Sequence, residues 1–273
     1  MIRETAPAKL NLALHVRARR PDGYHDLETL FVFCRDGDTI TLAEAAEDSF
    51  ALTGPFGAAL VGDDNLVTRA RDAFRAAFGA APCAITLDKH LPIASGIGGG
   101  SADAAATLRA LARWRGVPTD APELFAIAER LGADVPACLL GRTSIGRGKG
   151  EQLVPVEGLS DTPALLVNPG VAVSTAAVFK AWDGIDRGGI GSGDLLAAAR
   201  AGRNDLEAPA RAIAPAIDEA IALLAGEGVL LARMSGSGAT CFALFDSADA
   251  RRAAAARVKA ARPGWWCLET ALA

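Results

Sequence analysis

Leu91-Pro92-Ile93-Ala94-Ser95-Gly96-Ile97-Gly98-Gly99-Gly100-Ser101-Ala102-Asp103 is the densest cluster of chemistry-bearing residues in the chain, and it runs straight into an alanine-rich stretch. Its glycines let successive backbone N–H groups turn toward one point. A loop of this kind feeding a helix N-terminus is an anion nest, because the amides donate to phosphate oxygens and the helix end carries roughly half a positive charge. The GxxxxGK[ST] pattern of a Walker loop is absent, and so is the βαβ context of a dinucleotide site. A plain flexible turn ahead of a capped helix is the alternative, and the glycine density speaks against it.

Charged residues that could serve such a loop are few. Lys9 lies on an apolar strand pattern, and only five of the 28 basic residues are lysines, so a surface role is not the natural reading; a snorkelling edge-strand lysine remains the alternative. Asp134, in Gly132-Ala133-Asp134-Val135-Pro136, falls at or near the start of a short helix, where it could act on a ligand or simply cap. The single tyrosine, Tyr24, sits beside His25 in a polar turn, unlike a core position.

These residues need elements to hold them. Ala8, Leu10, Leu12, Leu14 and Val16 alternate with Lys9, Asn11, Ala13 and His15, the period of a half-buried strand that points Lys9 and Asn11 the same way. Pro21-Asp22-Gly23 reads as a turn, and Leu27 to Phe33 and Thr39 to Leu42 as strands joined by a hairpin at Asp36-Gly37. Asp64 or Asn65 can cap a helix ending near Gly79; Cys83 to Lys89 is a strand; a helix runs from about Ser101 to Arg115 with Gly116 as its stop. Asp120 is placed to cap a helix ending near Gly132. From Pro163 the pattern restarts as strand, helix, long helix, strand, strand, helix and strand, which puts a boundary near 155 between two α+β lobes. Ser235-Gly236-Ser237-Gly238 falls between the last strand pair, Val229 to Ala232 and Thr240 to Phe245, either as a tight loop or as a close backbone approach to a ligand. Gly184 to Gly193 reads as a mobile glycine-rich loop, and His15 and His90 as structural.

Composition sets outer limits. At 273 residues, 51% hydrophobic and 22% charged, the chain is long enough for a core and a cleft and is not disordered. A net charge of −4, with no run of five like charges, leaves no basic field for a nucleic-acid backbone. Five scattered cysteines without a CxxC pair suggest neither zinc nor disulfides but a reducing cytoplasm. Arg3, Glu4 and Lys9 interrupt any signal peptide, and the longest uncharged stretch, Thr162 to Phe179, contains Asn168-Pro169-Gly170 and makes a poor membrane span.

PIASGIGGGSADAAA, Pro92 to Ala106, resembles the phosphate-binding loop of the galactokinase, homoserine kinase, mevalonate kinase and phosphomevalonate kinase (GHMP) superfamily. Pro7-Ala8-Lys9-Leu10-Asn11-Leu12, Gly132 to Pro136 and Ser235 to Ala239 resemble the same superfamily in the same order. PAKLNL, Pro21 to His25 and GADVP narrow the resemblance to the branch that acts on 4-diphosphocytidyl-2-C-methylerythritol in non-mevalonate isoprenoid precursor synthesis, and Asn204-Asp205-Leu206-Glu207 looks like a feature of that branch. Ala102 stands where a second serine is common, so that hydroxyl's part in holding Mg²⁺ does not carry over, leaving Ser101 as the candidate.

The resemblance implies an N-terminal lobe like ribosomal protein S5 domain 2, at 1–155, and a ferredoxin-like C-terminal lobe, at 156–273. It implies ATP-dependent phosphorylation of the substrate's 2-hydroxyl with Mg²⁺. Pro92, Ile93, Ala94, Ser95, Gly96, Ile97, Gly98, Gly99, Gly100, Ser101 and Ala102 would hold ATP; the adenine pocket is not fixed by the sequence, and Asn65 and Lys89 are neighbours to inspect for it. Lys9 would be the cation near the reacting hydroxyl and γ-phosphate, and Asp134 the base or orienting acceptor. A carboxylate is a weak base for an alcohol, but loose phosphoryl transfer depends mainly on positioning and electrostatics. Tyr24 would stack on the cytosine, with His25 at its edge and Phe179 on the opposite side; Asn11 and Gly236 would also meet the substrate. The rival readings are another GHMP kinase of a small alcohol such as homoserine or mevalonate, and a ligand sensor without turnover.

Overall fold

The structure, a computed structural model, describes residues 1–60 and 65–273. The chain divides into two compact units, one of Met1–Lys9, Asp36–Ile93 and Gly98–Gly141, the other of Leu10–Arg35, Ala94–Ile97 and Arg142–Ala273.

Two long strands, β1 (Ile2–Arg19) and β2 (His25–Glu44), contribute residues to both units. The predicted hairpin at Asp36-Gly37 does not exist; β2 runs straight through it. Gly37 is there for a different reason, since a Cβ on it would stand 2.0 Å from the Ala6 carbonyl oxygen and 2.7 Å from Pro7 Cα. Glycine inside a strand marks close backbone approach as readily as a turn. The expected alternation along β1 is also absent: residues 8 to 16 are all buried, including Lys9, Asn11 and His15.

In the first unit, Thr39 to Glu44 of β2 pair antiparallel with β4 (Cys83–Asp88), and β3 (Ser49–Thr53) pairs parallel with β4. Helix α1 (Leu66–Phe78) lies between β3 and β4 in sequence; Asn65 caps it by accepting from the Val67 and Thr68 N–H groups, with Thr68 completing a capping box. Asp64, the other candidate cap, lies outside the described residues. Helix α2 (Gly99–Arg115) ends at Gly116, φ +70°, and carries the buried alanines 102, 104, 105, 106, 110 and 112. Alanine favours helix and leaves room for neighbours, and α1, α3 (Pro122–Leu131) and α4 (Val135–Leu140) all pack on α2. Asp120 is not the cap of α3: the cap position is Ala121, and Pro122, whose fixed φ suits a first helical turn, starts the helix instead.

In the second unit, Leu27 to Phe31 of β2 pair antiparallel with β5 (Ser144–Gly148), and β5 with β6 (Gln152–Pro155). After β7 (Pro163–Asn168) and α5 (Thr175–Lys180), three short helices, α6 (Leu195–Ala201), α7 (Glu207–Ile213) and α8 (Ala216–Leu224), stand where one long helix is predicted. Gly202 and Pro215 punctuate them, each a poor helix-interior residue. Strands β8 (Val229–Met234) and β9 (Cys241–Phe245), helix α9 (Ala248–Ala261) and β10 (Trp266–Ala271) complete the chain. The sheet order β10-β7-β9-β8, antiparallel throughout, is the ferredoxin-like order. Its core gathers Leu165, Val167, Ile217, Met234, Phe245 and Val258. Among the described residues no helix is long and apolar enough to cross a membrane.

Candidate active site

Gly98, at φ +65°, is the N-cap of α2, and no side chain caps that end. The first turn of a helix leaves its N–H groups without intrahelical partners, so the three residues Gly99, Gly100 and Ser101 offer an amide cluster suited to an anion. Lys9 lies against this turn, with its Cε 3.0 Å from where a Gly98 Cβ would stand. Its Nζ is 3.0 Å from Asp134 Oδ2; the lysine side chain is 3% exposed and the aspartate 37%. Asp134 occupies the N-cap of α4 but makes no side-chain capping bond, so its carboxylate is committed to Lys9. Cys138, one turn into α4, is buried, and burial pushes its thiol up to about 12.

A second charged group lies beneath the same turn. Lys89, 1% exposed, donates to Asp38 Oδ2 at 2.5 Å and Asp103 Oδ2 at 2.6 Å. Asp38 Oδ1 accepts from the backbone N–H groups of His90 and Leu91. Burial would lower the Lys89 ammonium, but the two carboxylates outweigh it and raise it. Asp103 is pushed up to about 8, chiefly by burial, with Asp38 adding and Lys89 opposing, and its Oδ1 is buried without a partner. The ammonium stands 3.1 Å from a Cβ on Gly99, so the lysine is packed under the nest and does not reach outward.

The loop itself is divided in its exposure: Ile93, Ala94 and Gly100 are exposed, Pro92, Ser95, Ile97, Gly99 and Ala102 buried, Ser101 half-buried. Ala94 holds φ +51°, a left-handed conformation that costs a non-glycine residue about 1–2 kcal/mol.

In the second unit, Ser95 accepts at its carbonyl from the Thr240 N–H, and a Cβ on Gly96 would stand 2.5 Å from Ser235 O. Ser235 Oγ accepts from the Asn11 N–H and donates to Gly96 O. Asn11 donates its side-chain amide to Thr29, leaving Oδ1 3.4 Å from a Cβ on Gly236. The aromatic residues form a separate group. The His25 ring lies 4.9 Å from Phe179 and edge-on to Trp182 at 5.8 Å. Tyr24 is 55% exposed with the Lys149 ammonium 4.9 Å over its ring. Burial, and secondarily Arg19, lowers the His25 imidazole, which keeps it neutral at pH 7; its Nε2 and the Trp182 indole N–H are buried without partners. An exposed flat ring beside a cation is suited to stacking on a nucleobase.

The predicted mobile loop is tethered. His15 Nδ1 meets Gly188 O at 3.0 Å, Arg17 pairs with Asp186, and Glu28 accepts from the Ile190 N–H. The ring of His90, by contrast, makes a local pair with Asp88, while its backbone N–H belongs to the Asp38 network.

Asp38, Trp182 and Lys149 are not singled out by the sequence, and Asp103 enters there only as the last residue of the glycine-rich segment, without its bond to Lys89. Lysine scarcity, the signal that singles out Lys9, applies equally to Lys89; its two partners come from 51 residues upstream and 14 downstream, a pairing no local pattern reveals.

Two family descriptions match the chain: GHMP kinases N terminal domain over residues 65–142 and GHMP kinases C terminal over residues 187–263. The homoserine kinase of Cytophaga hutchinsonii superposes with a TM-score of 0.74 over 99% of this chain and 94% of its own, at 18% identity, a likeness of fold. Fold, loop and both domain matches define the class, a GHMP kinase. A 4-diphosphocytidyl-2-C-methyl-D-erythritol kinase of Rhizorhabdus wittichii is 55% identical, covering 98% of this chain and 94% of that protein. One of Novosphingobium aromaticivorans is 51% identical over 99% and 93%. A crystal structure of 4-(cytidine 5'-diphospho)-2C-methyl-D-erythritol kinase gives a TM-score of 0.79 at 36% identity over 99% of both chains. The chain belongs to the 4-diphosphocytidyl-2-C-methyl-D-erythritol kinase family.

Proposed function

We propose that this chain transfers the γ-phosphoryl group of ATP to the 2-hydroxyl of 4-diphosphocytidyl-2-C-methyl-D-erythritol, a step toward isoprenoid precursors, in the cytoplasm. The observation that carries the reading is the contact of buried Lys9 with Asp134 beside the uncapped N-terminus of α2. Phosphoryl transfer asks for donors where charge spreads over the moving oxygens and for an acceptor that orients the hydroxyl. Lys9 supplies the first and Asp134 the second, accepting the proton as the new P–O bond forms and ADP leaves.

Residues Pro92 to Ala102 hold the triphosphate. Mg²⁺ is a hard cation that takes oxygen ligands and is commonly shared with substrate phosphates, and the Ser101 hydroxyl in the first turn of α2 fits that donor chemistry. When bound, the ion neutralises phosphate charge. Tyr24, His25 and Phe179 take the cytosine, and Asn11 and Gly236 the remainder of the substrate. In chain order we assign the lobes to 1–155 and 156–273, a division distinct from the two compact units, in which 10–35, 94–97 and 142–155 go with the second.

The test is the product. After incubation with ATP, Mg²⁺ and the diphosphocytidyl alcohol, phosphorus NMR should show one new phosphomonoester, coupled at carbon 2. A phosphate on another hydroxyl, or ADP formed without that product, would overturn the assignment.

A further inference from the structure

Asn204-Asp205-Leu206-Glu207 carries no part of the proposed chemistry, yet each of its residues is committed. The Asn204 side-chain amide donates to Met234 O at 2.9 Å and Gly236 O at 2.8 Å, while its Oδ1 accepts from the Leu206 N–H at 3.0 Å. Glu207 Oε2 accepts from the Met234 N–H at 3.0 Å. Asp205 Oδ2 accepts from the Val16 N–H at 2.8 Å and its Oδ1 from Arg203 at 2.7 Å. Leu206 is fully buried in the core of the second unit. The backbone adds to this: Leu14 N–H donates to Arg203 O and Asp205 N–H to Leu14 O, laying 203 to 205 along β1.

The backbone from Met234 to Gly236 is thus gripped at three points, one N–H and two carbonyls, by two side chains of a single four-residue segment. The gripped stretch is the entry to a loop whose geometry is narrow. Gly236 sits at φ +56°, a Cβ on it would stand 2.8 Å from Gly96 O, and Ser235 Oγ is held between Asn11 and Gly96. A backbone that must present an N–H or carbonyl to a ligand within a few tenths of an ångström needs its neighbours locked by a supporting shell. Buried amides with both hydrogens and the oxygen used are rigid anchors.

We propose that Asn204 and Glu207 are positioning residues that set the Ser235–Gly238 loop for the substrate, acting through the backbone of Met234 and Gly236; this rests on the reading that Gly236 meets the substrate. Neither side chain touches the substrate. Their loss weakens substrate binding and leaves nucleotide binding alone.

The experiment compares Asn204→Ala, Glu207→Ala, Glu207→Gln and Gly236→Ala, reading KM for the diphosphocytidyl alcohol, kcat, the Kd of ATP and thermal stability. Glu207→Ala should raise the substrate KM at least fivefold and Asn204→Ala further, each with the ATP Kd within twofold of the parent. Glu207→Gln keeps a carbonyl for the Met234 N–H and should stay within twofold. If buried Asn204→Ala fails to fold, the Glu207 pair alone decides. A lowered melting temperature with an unchanged substrate KM would make the segment merely structural and overturn the inference, provided Gly236→Ala raises KM. If Gly236→Ala also leaves KM unchanged, the assignment of Gly236 to the substrate fails, and the inference with it.

Discussion

Lys9 and Lys89 are two of the chain's few lysines, both are buried, and burial means different things for them. Lys9 pairs with a carboxylate that is itself 37% exposed, so Asp134 is open to a reactant. Lys89 is closed between two carboxylates that are almost wholly buried. The expected consequences differ accordingly. Asp134→Asn should lower kcat by about 10²–10⁴, the usual range for a lost acid–base group, with ATP affinity retained; unchanged turnover would return Asp134 to a structural role. Lys89→Met removes the cation shared by the buried Asp38 and Asp103 side chains and should cost about 3–5 kcal/mol of stability in a urea titration. A loss under about 1 kcal/mol in that titration would show that the triad is not a structural pin.

At the scale of elements, the loop from Gly184 to Gly193 shows where local reading stops. Glycine content predicts mobility, but the tethers come from His15, Arg17 and Glu28, distant in sequence and brought near by β1 and β2. The neutral imidazole of His15 donates from Nδ1 to Gly188 O and accepts at Nε2 from the Arg203 N–H. Burial, then Arg203, lowers its pKa below the ordinary 6.5, with Asp205, Glu28 and the Gly188 carbonyl opposing. The opened loop therefore binds the proton more readily than the closed one, and the tether's contribution is lost as pH falls below about 6.5. Protection of the Ile190 amide, corrected for intrinsic exchange, should decline from pH 7.5 to 5.5 in the parent and not in His15→Gln; parallel curves would contradict this. The missed hairpin at Asp36-Gly37 has the same origin, since the residue that demands glycine at 37 is Ala6 on another strand. The helices α1 and α2 beside the glycine-rich loop are legible because their signals are local: Asn65, the alanine run and Gly116 each act within a turn of where they stand.

For the molecule as a whole, the two α+β lobes, the glycine-rich loop leading into α2 and the placing of Asp134 at the start of α4 follow from patterns carried in short segments, and the relatives cover nearly the full chain. The triad under the loop does not, because it assembles residues from several segments; of the aromatic group, the resemblance names His25 and Phe179, and Trp182 is added only by the fold. The proposed cytosine contacts of Tyr24, His25 and Phe179 make substrate choice the property on which the proposal turns. The measurement that tests it most directly is ATP consumption with Mg²⁺, comparing 4-diphosphocytidyl-2-C-methyl-D-erythritol with homoserine, mevalonate and the uncytidylated methylerythritol phosphate. The account predicts turnover with the cytidylated alcohol alone. Turnover with another alcohol instead would contradict the cytosine site while leaving the kinase fold intact, and no turnover with any of them would contradict the kinase itself in favour of a sensor.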